Sequence, residues 1–131
     1  MKKFVVIFIS VFMLSACHES LEDRATREAK EYTQRYCPTP VNNFSRTDSV
    51  VFEKSTHIYH YYCTFSDKMD DKKIIDLNRS EIHEGLLKGL KESTDIKAYK
   101  DAGFNFQYTC HSAKNPSRVL YEDKFTAKDY N

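Results

Sequence analysis

The sequence predicts an α+β fold, a two-layer sandwich in which helices pack on a four-stranded antiparallel sheet. Three observations support this prediction: two segments with helical periodicity, two pairs of alternating segments separated by short turns, and no Gly-, Pro- or Ser-rich linker. The predicted order is helix, strand, strand, helix, strand, strand. Because each pair of strands is close enough in sequence to form a hairpin, all four strands are expected to be antiparallel.

The first helix is predicted over residues 21–36. Most of this segment is charged, and its apolar members fall near a single stripe: Leu21, Ala25, Ala29, Tyr32 and Tyr36. Pro38 and Pro40 follow and end the helix. This pattern is typical of a half-exposed helix that lies on a flatter layer.

Residues 49–54 and 57–65 are predicted to form the first pair of strands. The two faces of the second strand differ in composition, because successive side chains of a strand point to opposite sides. One face carries Tyr59, Tyr61, Cys63 and Phe65, and the other carries Ile58, His60, Tyr62 and Thr64. The charged segment 66–73 that follows is expected to be a loop.

Asn78 and Glu81 predict a capping box at the start of a second helix. The buried stripe of that helix is expected to contain Ile82, Leu86, Leu87 and Leu90. Gly85 and Gly89 lie one turn apart and predict close packing of this helix on the sheet or on the first helix. A short helix over 95–102 is expected to end at Gly103. Strands over 104–111 and 118–126 complete the domain.

Residues 1–16 have the organisation of a secretory signal peptide. Two lysines precede an uncharged apolar stretch, Phe4 to Leu14. At about 1.5 Å per residue this stretch is too short to span a hydrocarbon core of about 30 Å. It ends in Leu14-Ser15-Ala16-Cys17, which resembles the lipobox of bacterial lipoproteins. The resemblance implies cleavage before Cys17 and acylation of Cys17; an uncleaved anchor or an ordinary secretory signal is the alternative.

The resemblance also implies a location in the cell envelope, outside the cytoplasm. His18, rather than Asp, follows the cysteine, which favours the outer membrane over the inner one. The chain is thus divided into a signal peptide (1–16), a lipidated tether (17–22) and a single domain (23–131). Loss of two lysines with the signal leaves 18 basic against 19 acidic residues, so no basic excess indicates a nucleic-acid partner. The expected partners are the membrane, through the lipid at Cys17, and a protein or other envelope component.

Three cysteines remain besides Cys17, and an extracytoplasmic location permits one disulfide among them. Cys63 and Cys110 lie within predicted strands, whereas Cys37 lies at a helix end, where a strand cysteine could reach it. We therefore predict a disulfide between Cys37 and either Cys63 or Cys110. Three reduced and buried thiols are the alternative.

The strand carrying Tyr59-His60-Tyr61-Tyr62 has aromatic side chains on both faces, and only one face can be core. The other face would expose a set of side chains suited to recognition: His60, Tyr62, Gln107, Thr109 and His111. We predict that this set is an interaction face. The alternative is that the first helix covers it.

Familiar catalytic and metal-binding motifs are absent from the sequence, so neither an enzyme, a cofactor nor a metal is expected. Two alternatives stay open. Folding could bring Cys110 to His60 or His83 and create a small hydrolase or transferase site. A cross-strand pair of His60 and His111 could instead form a ligand- or metal-binding module.

Overall fold

The computed structural model describes residues 18–131. The predicted signal peptide and the lipidation of Cys17 lie outside the described residues. In chain order, the described part contains α1 (Leu21–Tyr36), β1 (Ser45–Glu53), β2 (Ile58–Phe65), a short 3₁₀ turn (Asp67–Met69), α2 (Lys72–Leu77), α3 (Arg79–Glu92), α4 (Lys97–Asp101), β3 (Asn105–Ser112), β4 (Val119–Phe125) and α5 (Ala127–Tyr130). The predicted α+β architecture, a four-stranded sheet packed by helices, is confirmed.

The bounds of α1 are those predicted from the sequence, because local signals fix both ends. Ser20 is the N-cap, and its hydroxyl accepts a hydrogen bond from the backbone N–H of Asp23 at 3.0 Å. The helix ends at Tyr36, and Cys37, the residue before Pro38, is its C-cap. Ala25 and Ala29 are fully buried, so the small-residue stripe of α1 contacts the sheet while its charged sides face solvent.

The sheet is mixed, and the prediction of four antiparallel strands is wrong. The strands lie in the order β1-β2-β3-β4; the outer pairs are antiparallel, but the central strands β2 and β3 are parallel. Residues 66–104 connect these two strands and contain three helices. A connection of this length returns the chain to the starting end of β2, so β3 runs in the same direction as its neighbour.

The segment between β2 and α3 also differs from the prediction, because residues 66–73 are not simply a loop. Asp71 caps α2 by accepting hydrogen bonds from the backbone of Lys73 and Ile74. Asn78 is the N-cap residue of α3, as predicted, but its side chain donates to the Ile74 carbonyl at 2.8 Å. The side chain therefore ends α2, and the predicted capping box with Glu81 does not form.

The helices of the described chain pack on one face of the sheet. A larger core cluster joins side chains of α1, α3, α4 and α5 to the strands: Ala25, Ala29, Val50, Phe52, Tyr59, Leu90, Ile96, Tyr99, Phe104, Phe106, Phe125 and Tyr130. A smaller cluster contains Phe65, Ile75, Cys110, Leu120 and Tyr121. Of the predicted α3 stripe, only Leu90 is fully buried, and the rest of that stripe is partly buried.

One of the three glycines has the role predicted for it, and two do not. Gly103 has φ +77° after α4, which agrees with the predicted helix end. Gly85 and Gly89 are exposed, and a Cβ at either position would have no neighbouring atom within 4 Å. The prediction that they allow close packing is therefore wrong. Within residues 18–131, no helix combines the length and apolar character that crossing a membrane requires.

Candidate functional site: the open face of the sheet

The side of the sheet opposite the helices is called the open face. Its central residues are those that the sequence predicted: His60, Tyr62, Gln107, Thr109 and His111. The parallel register places His60 beside Gln107 and Tyr62 beside Thr109. Their neighbours in sequence, Tyr59 and Phe106 among them, point into the core. Since α1 packs against that core, it does not cover the open face.

His60 is fixed in the middle of this face by three neighbours. Its ring stacks on Tyr62 with centroids 4.1 Å apart, and its Nε2 lies 2.7 Å from the Thr109 hydroxyl. Its Nδ1 lies 4.0 Å from a carboxylate oxygen of Glu53 on β1. These contacts leave His60 only 8% exposed, and Thr109 is only 7% exposed, although neither belongs to the helix-covered core. The prediction that this face exposes both side chains is therefore wrong, because the row buries its own central members. Burial lowers the pKa of His60, and the charges of Glu53 and Glu122 only partly offset this effect.

Hydrogen bonds continue from His60 to the edge strand β4. Glu122 accepts a hydrogen bond of 2.7 Å from the side-chain amide of Gln107 and one of 3.4 Å from the Thr109 hydroxyl. A polar row thus crosses three strands and ends in an exposed carboxylate. Because each side chain is held by its neighbour, the hydrogen-bonding groups of this row are already ordered.

His111 lies at the far end of the open face, beside Thr64 of β2. Its Nδ1 is buried and has no hydrogen-bond partner within residues 18–131. The register places it four residues beyond Gln107, the neighbour of His60, which is about 13 Å along the strand at 3.3 Å per residue. This separation excludes a shared metal ion. Among the described residues, no group of three or more His, Cys, Asp or Glu side chains could hold one.

The cysteines lie on the helix side of the sheet. Cys63 faces Cys110 directly in the parallel register, and Cys37 follows the last turn of α1. The Cys110 thiol donates to Cys63, which together with burial raises the pKa of Cys110; the same contact lowers the pKa of Cys63. The disulfide between Cys37 and Cys63 or Cys110 stays a prediction, since all three are separate thiols here.

The arrangement gives little support to a Cys/His catalytic site. His60 and Cys110 lie on opposite faces of the sheet, so the sheet separates them. His83 instead lies 2.6 Å from a carboxylate oxygen of Asp123 and stacks on Phe125. A thiol whose pKa is raised, as that of Cys110 is, forms little thiolate for nucleophilic attack.

Two residues of the polar row were missed by sequence reasoning, Glu53 and Glu122. Glu53 lies on β1 and Glu122 on β4, the two strands that flank β2 and β3. Their positions beside the row depend on strand register: Glu122, for example, is the neighbour of Thr109 on β3. The sequence contains one signal for Glu122, since it alternates with buried Tyr121 on the last strand. That signal gives the face but not the partner.

Three solved structures are similar in fold to this chain. A predicted secreted protein from Pseudomonas aeruginosa has a TM-score of 0.66 and 12% sequence identity, and the match covers 86% of this chain and 99% of that one. The type 2 secretion system pilotin EpsS from Vibrio vulnificus has a TM-score of 0.63 and 11% identity over 84% and 91% of the two chains. The type II secretion system pilotin AspS from Vibrio cholerae has a TM-score of 0.58 and 11% identity over 82% and 90%. At these identities the likeness shows a shared fold.

No curated protein sequence matches this chain significantly. A family model described as "Domain of unknown function (DUF8479)" matches residues 20–121, which is most of the chain and includes the open face except for residues 122–125 of β4. The chain therefore belongs to the DUF8479 family.

Proposed function

We propose that this protein is a non-enzymatic, lipid-anchored lipoprotein of the bacterial cell envelope, and that its open face binds a protein or another envelope component. The observation that carries the proposal is the ordered polar and aromatic row around His60 and Tyr62, which lies on the side of the sheet away from the helices and ends in the exposed carboxylate of Glu122. An ordered face of this kind has the tyrosine and hydrogen-bonding groups typical of protein recognition. The alternative of a face covered by α1 does not apply, because α1 packs on the opposite side.

The orientation of α1 and of the strands is consistent with the proposed anchor. α1 begins at Leu21, four residues after Cys17, so a lipid on Cys17 would hold the first turn of α1 close to the membrane. The turn between β1 and β2 lies at the same end, because Lys54 forms a salt bridge with Asp23. The other end of α1 adjoins the middle of β1, where Thr33 contacts Val50. The strands would then extend away from the membrane and leave the open face accessible.

The similar folds narrow the class of partner that we propose. Two of them are pilotins of type II secretion systems, and the third is a predicted secreted protein. A shared fold does not by itself transfer a function. It does suggest where to search first, and we propose a protein subunit of an envelope secretion apparatus as the partner.

Site-specific photo-crosslinking in the native membrane tests the face directly. A photoreactive phenylalanine analogue would replace Tyr62 or Gln107, and matched control proteins would carry it at Leu77, which is 85% exposed. We expect one discrete crosslinked protein from the two open-face positions and none from Leu77. Crosslinks of equal yield from all three positions, or none from Tyr62 and Gln107, would contradict the proposal. Tyr62→Ser is expected to reduce co-purification of the crosslinked partner, whereas Tyr36→Ser is not.

A further inference from the structure

A groove on the helix side of the domain contains an unusual concentration of tyrosine. It lies between α1 and the chain joining α3 to α4, has a volume of about 270 Å³ and is called the tyrosine groove. Its chemically distinctive lining residues are four tyrosines and two acids: Tyr32, Tyr59, Tyr61, Tyr99, Glu28 and Asp95. None of these was singled out as a functional residue by the sequence, because they come from four separate segments.

The rings of the tyrosine groove are held in place by one another. Tyr59 has its ring centroid 5.5 Å from both Tyr61 and Tyr99, and Tyr61 stacks on Tyr108 at 4.8 Å with an interplanar angle of 9°. Tyr59 is only 6% exposed. Burial and the nearby charge of Glu28 raise the pKa of Tyr59 to about 12, so its phenol stays neutral at physiological pH. The groove is therefore a rigid aromatic surface.

The tyrosine groove has a net negative charge, because Arg24 balances the charge of Glu28 while Asp95 has no basic partner within the described residues. Burial alone would raise the pKa of Glu28, but hydrogen bonds from the Tyr99 hydroxyl and from Arg24 outweigh burial, so the pKa is lowered and the carboxylate is ionised. Asp95 is exposed and forms no salt bridge within the described part of the chain. The described residues that line the groove include no Lys or Arg. Aromatic faces and carboxylates both attract cations, and here they act at the same place.

Arg24 already shows this chemistry at the rim. Its Nε lies 2.7 Å from a carboxylate oxygen of Glu28, and its guanidinium carbon lies 5.8 Å from the centroid of the Tyr99 ring. A guanidinium is thus already bound between a carboxylate and a tyrosine ring that both line the groove. Inside it, the Asp95 carboxylate and the Tyr32 ring, which is 41% exposed, offer the same pair of groups to a second cation. Arginine suits such a site because its planar group stacks on rings and pairs with carboxylates.

We propose that the tyrosine groove is a binding site for an arginine side chain presented by a partner protein. The groove lies on the opposite side of the sheet from the open face, so this site is additional to the proposed function and does not depend on it. Asp95 pairs with the guanidinium, the 41% exposed Tyr32 ring contacts its planar surface, and the buried Tyr59 ring forms the floor of the site.

The test titrates the full chain in detergent with N-acetyl-arginine methylamide while the tyrosine ring signals are followed by NMR. The matching citrulline compound is the control probe, because it has nearly the same shape and no charge. We expect saturable shifts of Tyr32 and Tyr59 with arginine, binding about tenfold weaker with citrulline, and weaker arginine binding as salt is raised. Equal binding of the two probes, or no saturable shift of these tyrosines, would overturn the proposal.

Two substitutions locate the site. Asp95→Asn is expected to weaken arginine binding about tenfold and citrulline binding very little. Asp101→Asn is the matched control, since Asp101 is an exposed carboxylate that pairs with Lys97 outside the groove. Tyr32→Leu keeps the apolar bulk but removes a ring, and it should weaken both probes. Arginine binding that is unchanged in Asp95→Asn, or lowered equally in Asp101→Asn, would refute the assignment. Unchanged spectra outside the groove establish that each variant is folded.

Discussion

Thr33 joins the first helix to the edge strand β1 by two hydrogen bonds. Its hydroxyl donates to the Val50 carbonyl at 2.9 Å and accepts from the Val50 N–H at 2.8 Å. Val50 is an edge-strand residue, so these two backbone groups point away from β2 and have no partner in the sheet. One side chain therefore satisfies both polar groups of a residue that is itself 3% exposed.

Thr33→Val keeps the shape of the side chain and removes the hydroxyl. Each lost hydrogen bond is worth about 1 kcal/mol, and the two backbone groups of Val50 remain partly buried without partners. We therefore expect the free energy of unfolding to fall by about 2 kcal/mol, which corresponds to a decrease in Tm of about 8 °C for a domain of this size. Urea unfolding followed by circular dichroism measures the first quantity, and thermal melting measures the second.

Thr26→Val is the matched control in the same helix. The Thr26 hydroxyl donates to the Glu22 carbonyl of its own helix at 2.9 Å and is exposed, so its removal should change stability by less than about 0.5 kcal/mol. An equal effect of the two substitutions would show that loss of a helical threonine, and not loss of the contact with β1, causes the change. A decrease below about 0.5 kcal/mol in Thr33→Val would refute the reasoning outright.

Three further predictions concern glycine, histidine and cysteine. Gly85→Ala is expected to raise the free energy of unfolding by about 1 kcal/mol, because the position is helical, exposed and free of neighbouring atoms. Gly103→Ala should lower the free energy of unfolding by about 1 kcal/mol, because φ there is +77°. Urea titration measures both changes. Burial lowers the pKa of His60 below its unfolded value of about 6.5, so its contribution to stability is complete above that pH and decreases as pH falls. When the free energy of unfolding is measured from about pH 7.5 to 5, it should therefore fall less steeply in His60→Gln than in the unsubstituted protein. Cys63 is a neighbour of both other thiols, so Cys63→Ser should abolish any intramolecular disulfide in peptide maps made without reductant, and a bridge in that variant would contradict this placement.

Local signals made α1 and three of the four strands predictable, but β1 begins at Ser45, four residues before its predicted start. Ser20 and Pro38 bound α1, and side-chain alternation gave β2 to within one residue of its observed start. His57 marks the difference, since its φ of +53° belongs to a turn and not to a strand. Asn78 was identified as a cap, but its competing acceptor, the Ile74 carbonyl, exists only because a second helix ends there. The local sequence pattern did not reveal that helix, α2.

The candidate site was predictable only by face. Alternation along β2 and β3 correctly assigned His60, Tyr62, Gln107, Thr109 and His111 to one side. Their contacts depend on which strands are neighbours and in which register, and these are long-range properties. The hydrogen bond between Gln107 and Glu122, for example, joins adjacent strands at positions that alternate patterns leave undetermined.

The direction of β3 decides whether the protein has an open face at all. In two hairpins with antiparallel central strands, β2 and β3 could be joined at one end of the sheet, and the helices could then cover either face. Here β2 and β3 are parallel, so the connection must return along the whole length of the sheet and pass over one of its faces. Its helices bury Phe106 and Phe125 on that face, and α1 adds Ala25 and Ala29 to the same core. The apolar stripes of the described helices are then all packed against one side of the sheet. The opposite side, with His60 and Tyr62 at its centre, is therefore left without a helix.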